Sequence, residues 1–386
     1  MAASERPAAR SMGVLGTGWL CGVLVAGCGG SSSANGASRP ATVSISPALA
    51  TLALGGSTQF VARLRDSLGN VLSGRPVMWS STDTTVAVVD SAGAVSGVGV
   101  GATTVTATIE GMRGQAGVSV SAQPPTSVTL VGAGDIADCD TDGDERTAAL
   151  LDTIAGTVFT TGDNAYSSGS ASDFAQCYDA SWGRHKARTR PAPGNHDYRS
   201  ASGGPYFAYF GALAGDSRTG YYSYDLGAWH VIALNSNIDM RVGSDQERWL
   251  RADLGATSAR CVLAYWHHPR FSSGTKHGSQ PKTAPLWQAL HDSGADMALA
   301  GHEHHYERFA PQDPSGRADS DRGIRLFVVG TGGAKHYPFG TPIANSEVRH
   351  GDSWGVLRLT LWPDTYSWQF IPAGRGFRDS GSGHCH

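Results

Sequence analysis

Two imidazoles, His302 and His304, stand two residues apart directly after the apolar run Met297-Ala298-Leu299-Ala300, which predicts a buried strand. That spacing puts both side chains on one face of a strand, or aims both at one centre from a tight turn. Such a pair alone carries little. Four further segments, however, bring metal-capable side chains to the end of an apolar or extended run. Val128-Thr129-Leu130-Val131 leads to Gly134-Asp135, and Val158-Phe159-Thr160-Thr161 to Gly162-Asp163-Asn164-Ala165-Tyr166. Arg190-Pro191-Ala192-Pro193 leads to Gly194-Asn195-His196-Asp197, and Val262-Leu263-Ala264-Tyr265-Trp266 to His267-His268-Pro269. One Gly-Asp or Asn-His after a strand is ordinarily a turn. Together the segments pool Asp135, Asp163, Tyr166, Asn195, His267, His302 and His304. Hard oxygen and imidazole nitrogen in that mixture suit two adjacent metal ions, and seven ligands are too many for one tetrahedral ion. A carboxylate can bridge two ions about 3.5–4 Å apart, a pair that clamps the attacking and leaving oxygens of an in-line displacement. The set points to phosphoester hydrolysis.

The ordered series Gly134-Asp135, Gly162-Asp163-Asn164-Ala165-Tyr166, Gly194-Asn195-His196-Asp197, His267-His268-Pro269 and Gly301-His302-Glu303-His304 resembles the motif set of the calcineurin-like metallophosphoesterases. Tyr166, three residues after the second Asp, and Tyr306-Glu307-Arg308 after the last His pair are similar to the purple acid phosphatase branch. The resemblance covers residues 127 to 372. It implies a four-layer α/β sandwich in which Asp135, Tyr166 and His304 hold one ion, Asn195, His267 and His302 the other, and Asp163 bridges them. A phenolate ligand favours a hard trivalent ion, so Fe(III) is expected at the Tyr166 site, with Fe, Zn or Mn at the second. His196, next to a ligand, would contact a phosphate oxygen or protonate the leaving group. His277 is a second catalytic candidate. It lies where plant-type relatives carry a substrate-binding His pair, but Lys276 stands in for one member of that pair. His268, His305 and Asp197 are expected to orient ligands by hydrogen bonds.

The elements that must position these residues follow from the chain around them. With 386 residues, two or three domains can each bury a core, and a net charge of −3 gives no sign of a nucleic-acid surface. Residues 1–27 read as an export signal, too short and too rich in Gly for a membrane span. Val25-Ala26-Gly27-Cys28 resembles a lipobox, which implies a lipid anchor on Cys28 and an extracytoplasmic place at the cell envelope. Residues 28–40 then read as a flexible tether. Residues 41–121 alternate short β-prone runs with turns: Val43-Ser44-Ile45, Thr58 to Ala62, Val77 to Ser80, Val86 to Val89 and Thr103 to Thr108. That pattern predicts a small all-β sandwich. At Trp79-Ser80-Ser81, Val86-Ala87-Val88-Val89-Asp90 and Gly97-Val98-Gly99-Val100-Gly101 the segment resembles bacterial immunoglobulin-like domains of group 2, with Trp79 in the core and a spacer or surface-binding role.

Residues 122–126 read as a stiff linker, residues 127–372 as the α/β domain and residues 373–386 as a tail. Helices are expected over Asp144 to Leu151 and Ser244 to Leu254, the second opening with Ser244 and Glu247 at capping-box spacing. Strands are expected at Tyr221 to Tyr224, His230 to Leu234, Arg325 to Val329, Val356 to Thr360 and Thr365 to Ile371. Gly330-Thr331-Gly332-Gly333 lacks the Lys and Ser/Thr of a P-loop and reads as a tight turn. Export permits disulfides among Cys139, Cys177, Cys261 and Cys385, with three pairings open. The favoured pairing joins Cys139 to Cys177 beside the metal site and Cys261 to Cys385 at the tail; buried free thiols are the alternative. The expectation is a lipid-anchored phosphomonoesterase acting on a small phosphoester. A phosphodiesterase or nucleotidase is the enzymatic alternative, and an inactive surface-binding protein the non-enzymatic one.

Overall fold

The computed structural model describes residues 40–122 and 126–386. The expected signal segment, Cys28, the tether up to Arg39 and Gln123-Pro124-Pro125 lie outside the described residues. No helix among the described residues is long and apolar enough to cross a membrane.

Among residues 40–122 the only regular elements are strands. A four-stranded sheet, in the order Leu49–Ala53, Met112–Ser121, Gly101–Ile109, Met78–Ser81, faces a three-stranded one formed by Ser57–Gln59, Ala94–Gly97 and Ala87–Val89. Between them lie Phe60, Val95, Val105, Ala107, Val118 and Val120, with Trp79 packed against this core. Two expectations need correction. The run Thr58 to Ala62 is not one strand but two, because Phe60 turns into the core and donates its N–H to the Gly93 carbonyl at 2.9 Å. Pro40, assigned to the tether, already opens the strand Pro40–Ser46.

The second part alternates strands and helices. In chain order the strands are β1 (Val128–Ala133), β2 (Thr157–Thr161), β3 (Thr189–Ala192), β4 (Tyr222–Leu226), β5 (Trp229–Ala233), β6 (Cys261–Tyr265) and β7 (Met297–Ala300). They continue with β8 (Tyr306–Phe309), β9 (Arg325–Val329), β10 (Ser346–His350), β11 (Gly355–Leu361), β12 (Thr365–Pro372) and β13 (Asp379–His384). One sheet runs β3-β2-β1-β11-β12-β13, the other β4-β5-β6-β7-β9-β8-β10. The neighbours β1, β2 and β3 are parallel, as are β5, β6, β7 and β9.

Sequence periodicity explains why the second sheet is buried on both sides. Val231, Ala233, Leu263, Tyr265, Met297, Leu299, Phe327 and Val329 join the core shared with the first sheet. The residues between them, Ile232, Val262, Ala264, Ala298, Ala300, Leu326 and Val328, pack with the helices α2 (Asp245–Ala256) and α3 (Ala284–Asp292). Alternate side chains serve opposite faces, so a strand covered on both sides must be apolar throughout. α1 (Gly143–Thr153) buries Ala148 and Leu151 in a cluster continuous with the first sheet. α2 starts where Ser244 accepts the Glu247 N–H at 3.2 Å, while the Glu247 carboxylate accepts from Gly243 N–H.

The expected tail is a further correction. β13 pairs along β12, and a disulfide joins Cys385 to Cys261 at the start of β6. The sequence Asp-Ser-Gly-Ser-Gly-His of β13 has no apolar alternation; the strand is held by backbone pairing and by Asp379, which accepts from Tyr306 Oη and Arg308 Nε, each at 2.7 Å. The second bridge joins Cys139 and Cys177.

Candidate metal centre

Every parallel strand that carries a motif delivers it at its C-terminal end. Asp135 follows β1, Asp163 follows β2, Asn195 follows β3, His267 follows β6 and His302 follows β7. Open α/β sheets expose their sites at this edge, because loops there are free of strand pairing. The two sheets thereby bring seven side chains from distant parts of the chain to one place.

The contacts form one continuous chain. Tyr166 Oη lies 2.9 Å from Asp135 Oδ1, 3.1 Å from Asp163 Oδ2 and 3.1 Å from His304 Nε2. His304 Nε2 is 3.3 Å from Asp135 Oδ1. On the other side His267 Nε2 lies 3.3 Å from Asp163 Oδ2, 3.0 Å from Asn195 Oδ1 and 3.0 Å from His302 Nδ1. Asp163 Oδ2 therefore touches both groups.

Donor chemistry tests whether a metal fits. His267 Nδ1 faces the Thr161 carbonyl at 2.9 Å and His304 Nδ1 faces the Lys335 carbonyl at 2.5 Å. Each carbonyl calls for an N–H, so the proton of the neutral ring sits on Nδ1 and the Nε2 lone pair points inward. Lone pairs of nitrogen, carboxylate and amide oxygen thus converge on one another, which a cation would reconcile. Bonds of about 2.0–2.2 Å from a six-coordinate ion place neighbouring donors about 3 Å apart, the separation seen here. The residues fit. Asp135, Asp163 and His267 offer ligand atoms within 4.8 Å of one another, as do His267, His268 and His302. Cys261, Asp296 and Cys385 also cluster, but both sulfurs are in the disulfide and are not thiolate ligands.

Electrostatics agree with a cation-seeking site. Burial by itself lowers the His267 pKa, but the Asp163 charge and hydrogen bond outweigh it and push the ring up to about 9. Burial would raise the Asp163 carboxyl, yet His267 and then His196 hold it well below the usual carboxylate range. Burial, joined by His267 and His277, keeps His302 far below an ordinary imidazole. Burial first, then Asp135 and Asp163, push the Tyr166 phenol well above its ordinary value.

Backbone strain marks the same loops. Asp135, Asp163 and His302 have φ of 57°, 51° and 73°, the left-handed region that costs non-glycine residues of order 1–3 kcal/mol. The adjacent glycines permit the crowding. A Cβ on Gly194 would lie 2.1 Å from Asp163 N and Oδ1, and one on Gly301 would lie 2.5 Å from Asp135 Oδ2.

The remaining expected residues divide. His196 borders the site, with Nε2 3.9 Å from Asp163 Oδ2, its ring 4.4 Å from Tyr166 and Nδ1 donating to the Ser167 carbonyl at 2.6 Å. His277 is exposed and stacks on His302 at 4.0 Å. His268 hydrogen-bonds Ser236 at 2.7 Å and packs 4.4 Å from the His302 ring. Buried Asp197 accepts N–H groups of Asn164 and Gly194, tying the Asp163 loop to the Asn195 loop. Burial, then Asp163, raise its carboxyl to about 7. His305 packs on Phe339 at 3.9 Å and approaches Ser272 and Glu307, so its contacts run to the loop after β6. Gly330 to Gly333 pack backbone against the Asp135 loop, with Gly332 N donating to Gly134 O, as a bend and not a hydrogen-bonded turn. Sequence reasoning missed Tyr337, which stacks on His304 at 3.8 Å, and the carbonyls of Thr161 and Lys335. An aromatic in an irregular loop has no periodicity to reveal it.

Comparison with known proteins assigns both parts. Residues 128–306 match the calcineurin-like phosphoesterase family and residues 41–120 the bacterial Ig-like domain (group 2). The chain thus carries a calcineurin-like phosphoesterase domain preceded by a group 2 bacterial Ig-like domain. The curated relatives it is similar to include purple acid phosphatases. It is 27% identical over 205 residues to purple acid phosphatase 15 of Arabidopsis thaliana, a match covering 47% of this chain and 36% of that protein. It is 30% identical over 142 residues to human acid phosphatase type 7, covering 31% of this chain and 32% of that one. The matches thus span about a third of the length of these relatives. A purple acid phosphatase from yellow lupin seeds shares the fold with a TM-score of 0.56 at 17% identity, over 84% of this chain and 72% of that one.

Proposed function

We propose that the protein hydrolyses phosphomonoesters at a binuclear metal centre held by Asp135, Tyr166 and His304 on one side and Asn195, His267 and His302 on the other, with Asp163 shared. The observation that carries this reading is the unbroken series of donor contacts through Asp163 Oδ2, 2.9 to 3.3 Å long. The bound ions would supply Lewis acidity toward the phosphoryl oxygens and make water a nucleophile at mild pH. Fe(III) suits the Tyr166 side, since a trivalent charge reverses the effect of the two carboxylates on the phenol. Fe, Zn or Mn suits the other.

The chain's own groups do the rest. His196 and His277 border the donors from two sides, where an imidazole can bind a phosphoryl oxygen or give a proton to the departing alkoxide. Asp197 and the Thr161 and Lys335 carbonyls hold the ligands in orientation. Cys28 as a lipid anchor, with the Ig-like domain as spacer, is the companion proposal, supported by the lipobox-like Val25-Ala26-Gly27-Cys28.

Metal analysis, visible absorption and hydrolysis of an aryl phosphate, all on the purified full-length protein, test this reading. Two metals per chain, an iron band and turnover are expected. Turnover of an aryl diester without the monoester would move the assignment to a phosphodiesterase or nucleotidase. Failure to bind metal and to turn over after reconstitution leaves the surface-binding protein. Fatty-acid labelling that survives Cys28→Ala would remove the anchor.

A further inference from the structure

Glu303 stands between His302 and His304, yet its side chain turns away from the donor cluster. Its carboxylate is fully buried. Oε1 accepts the backbone N–H of His277 at 2.7 Å and of Gly278 at 2.5 Å. Oε2 has no hydrogen-bond partner among the described residues, so these two donors account for the fixing of the group. The loop is seated against the carboxylate: a Cβ on Gly274 would lie 2.3 to 2.5 Å from Glu303 Cδ, Oε1 and Oε2. On β8, buried Glu307 grips the other end of the same loop, accepting from Ser273 N at 2.8 Å and Ser272 Oγ at 3.2 Å. Between these grips the loop carries Lys276 and the exposed ring of His277, which stacks on His302 at 4.0 Å and meets Tyr337 edge-on at 5.7 Å.

We propose that Glu303 is a positioning residue for substrate, holding His277 over the ligand His302 through the backbone N–H groups of His277 and Gly278. The proposal rests on the phosphoesterase reading for its kinetic consequence, though not for the contact itself. A buried carboxyl oxygen taking two backbone N–H groups satisfies both donors and fixes backbone rather than a rotatable side chain. His277 is thereby kept at the mouth of the site by its backbone. Ligand, loop anchor and ligand occupy three consecutive residues, so a shift of the His302–His304 turn would carry His277 with it.

The test uses the full-length protein and the variants Glu303→Ala, Glu303→Gln, Gly274→Ala, His277→Ala and Glu303→Ala/His277→Ala. Metal content, kcat and KM for an aryl phosphate, and amide hydrogen exchange at His277 and Gly278 are measured on each. Glu303→Ala is expected to keep its metals, to speed exchange of the two amides at least about tenfold, and to lower kcat/KM as much as His277→Ala, on the order of 10²-fold. The double variant should then be no worse than His277→Ala, because both act through one ring. Gly274→Ala, which displaces the loop with Glu303 intact, should reproduce the loss, and Glu303→Gln, which keeps an acceptor oxygen, should recover part of it. Multiplying effects in the double variant, metal loss in Glu303→Ala, or unchanged amide exchange would each overturn the proposal. Should Glu303→Ala not fold, Gly274→Ala decides: full His277-dependent activity there overturns it. Absence of turnover in the wild type refutes the phosphoesterase reading instead, and the exchange measurement still decides the role of Glu303.

Discussion

Tyr166 sits at the junction of Asp135, Asp163 and His304, with three contacts of 2.9 to 3.1 Å converging on one oxygen. Its burial and carboxylate neighbours raise the phenol pKa, so only a strongly charged ion at that spot makes it a phenolate. Tyr166→Phe is therefore expected to abolish the visible iron band and lower kcat at least about tenfold, while an ion on the His267 side is retained. Absorption and metal content of the variant check this. A variant that keeps its band removes Tyr166 from the ligand set and leaves the other six donors.

The loops at the C-terminal strand ends work by closeness, and glycine makes that possible. Gly194 packs against the Asp163 backbone and carboxylate, so Gly194→Ala must move the loop that carries Asn195. Overpacking of this kind costs about 1–3 kcal/mol, and metal uptake should fall with it. Gly255, near the end of α2, has nothing within 4 Å of its would-be Cβ. Gly255→Ala should have the opposite sign, a gain of about 0.5–1 kcal/mol. Urea midpoints of the two variants, read beside metal content, separate site crowding from a general intolerance of alanine.

Remote parts of the chain meet at the C-terminus. Asp296, at the start of β7 and 2% exposed, accepts the backbone N–H groups of Val262 and His386, each at 2.8 Å. Burial dominates over His386 and these donors and raises the carboxyl to about 6. The folded state then binds the proton more tightly than the unfolded chain does. This contribution to stability is full below about pH 4 and is lost as pH rises through about 6. Asp296→Asn should flatten the fall in unfolding free energy between those values, measured as urea midpoints across pH. A slope as steep as that of the wild type would assign it to other groups, such as buried Asp144, which burial and then Glu145 raise to about 7. The Ig-like domain is tied to the phosphoesterase domain by Thr51 N–H on Asp364 at 2.7 Å and by Arg63 and Arg65 on Asp321.

Much of this was legible in the chain, for a local reason. Strands covered on both faces must be apolar throughout, so β9 was expected at the bounds observed, and turns that end such strands expose their polar residues as motifs. The motif residues could be pooled because type and order are properties of the sequence. The chain could not say which nitrogen of His267 points inward, that Phe60 would split a strand, or that residues 379–384 would pair with β12. Nor could it show Tyr337 on His304 or Glu303 beneath His277. Those features are contacts in irregular loops, between separate segments or through backbone atoms. They carry no periodicity, because the partner that fixes each one is brought to it only by the folded backbone.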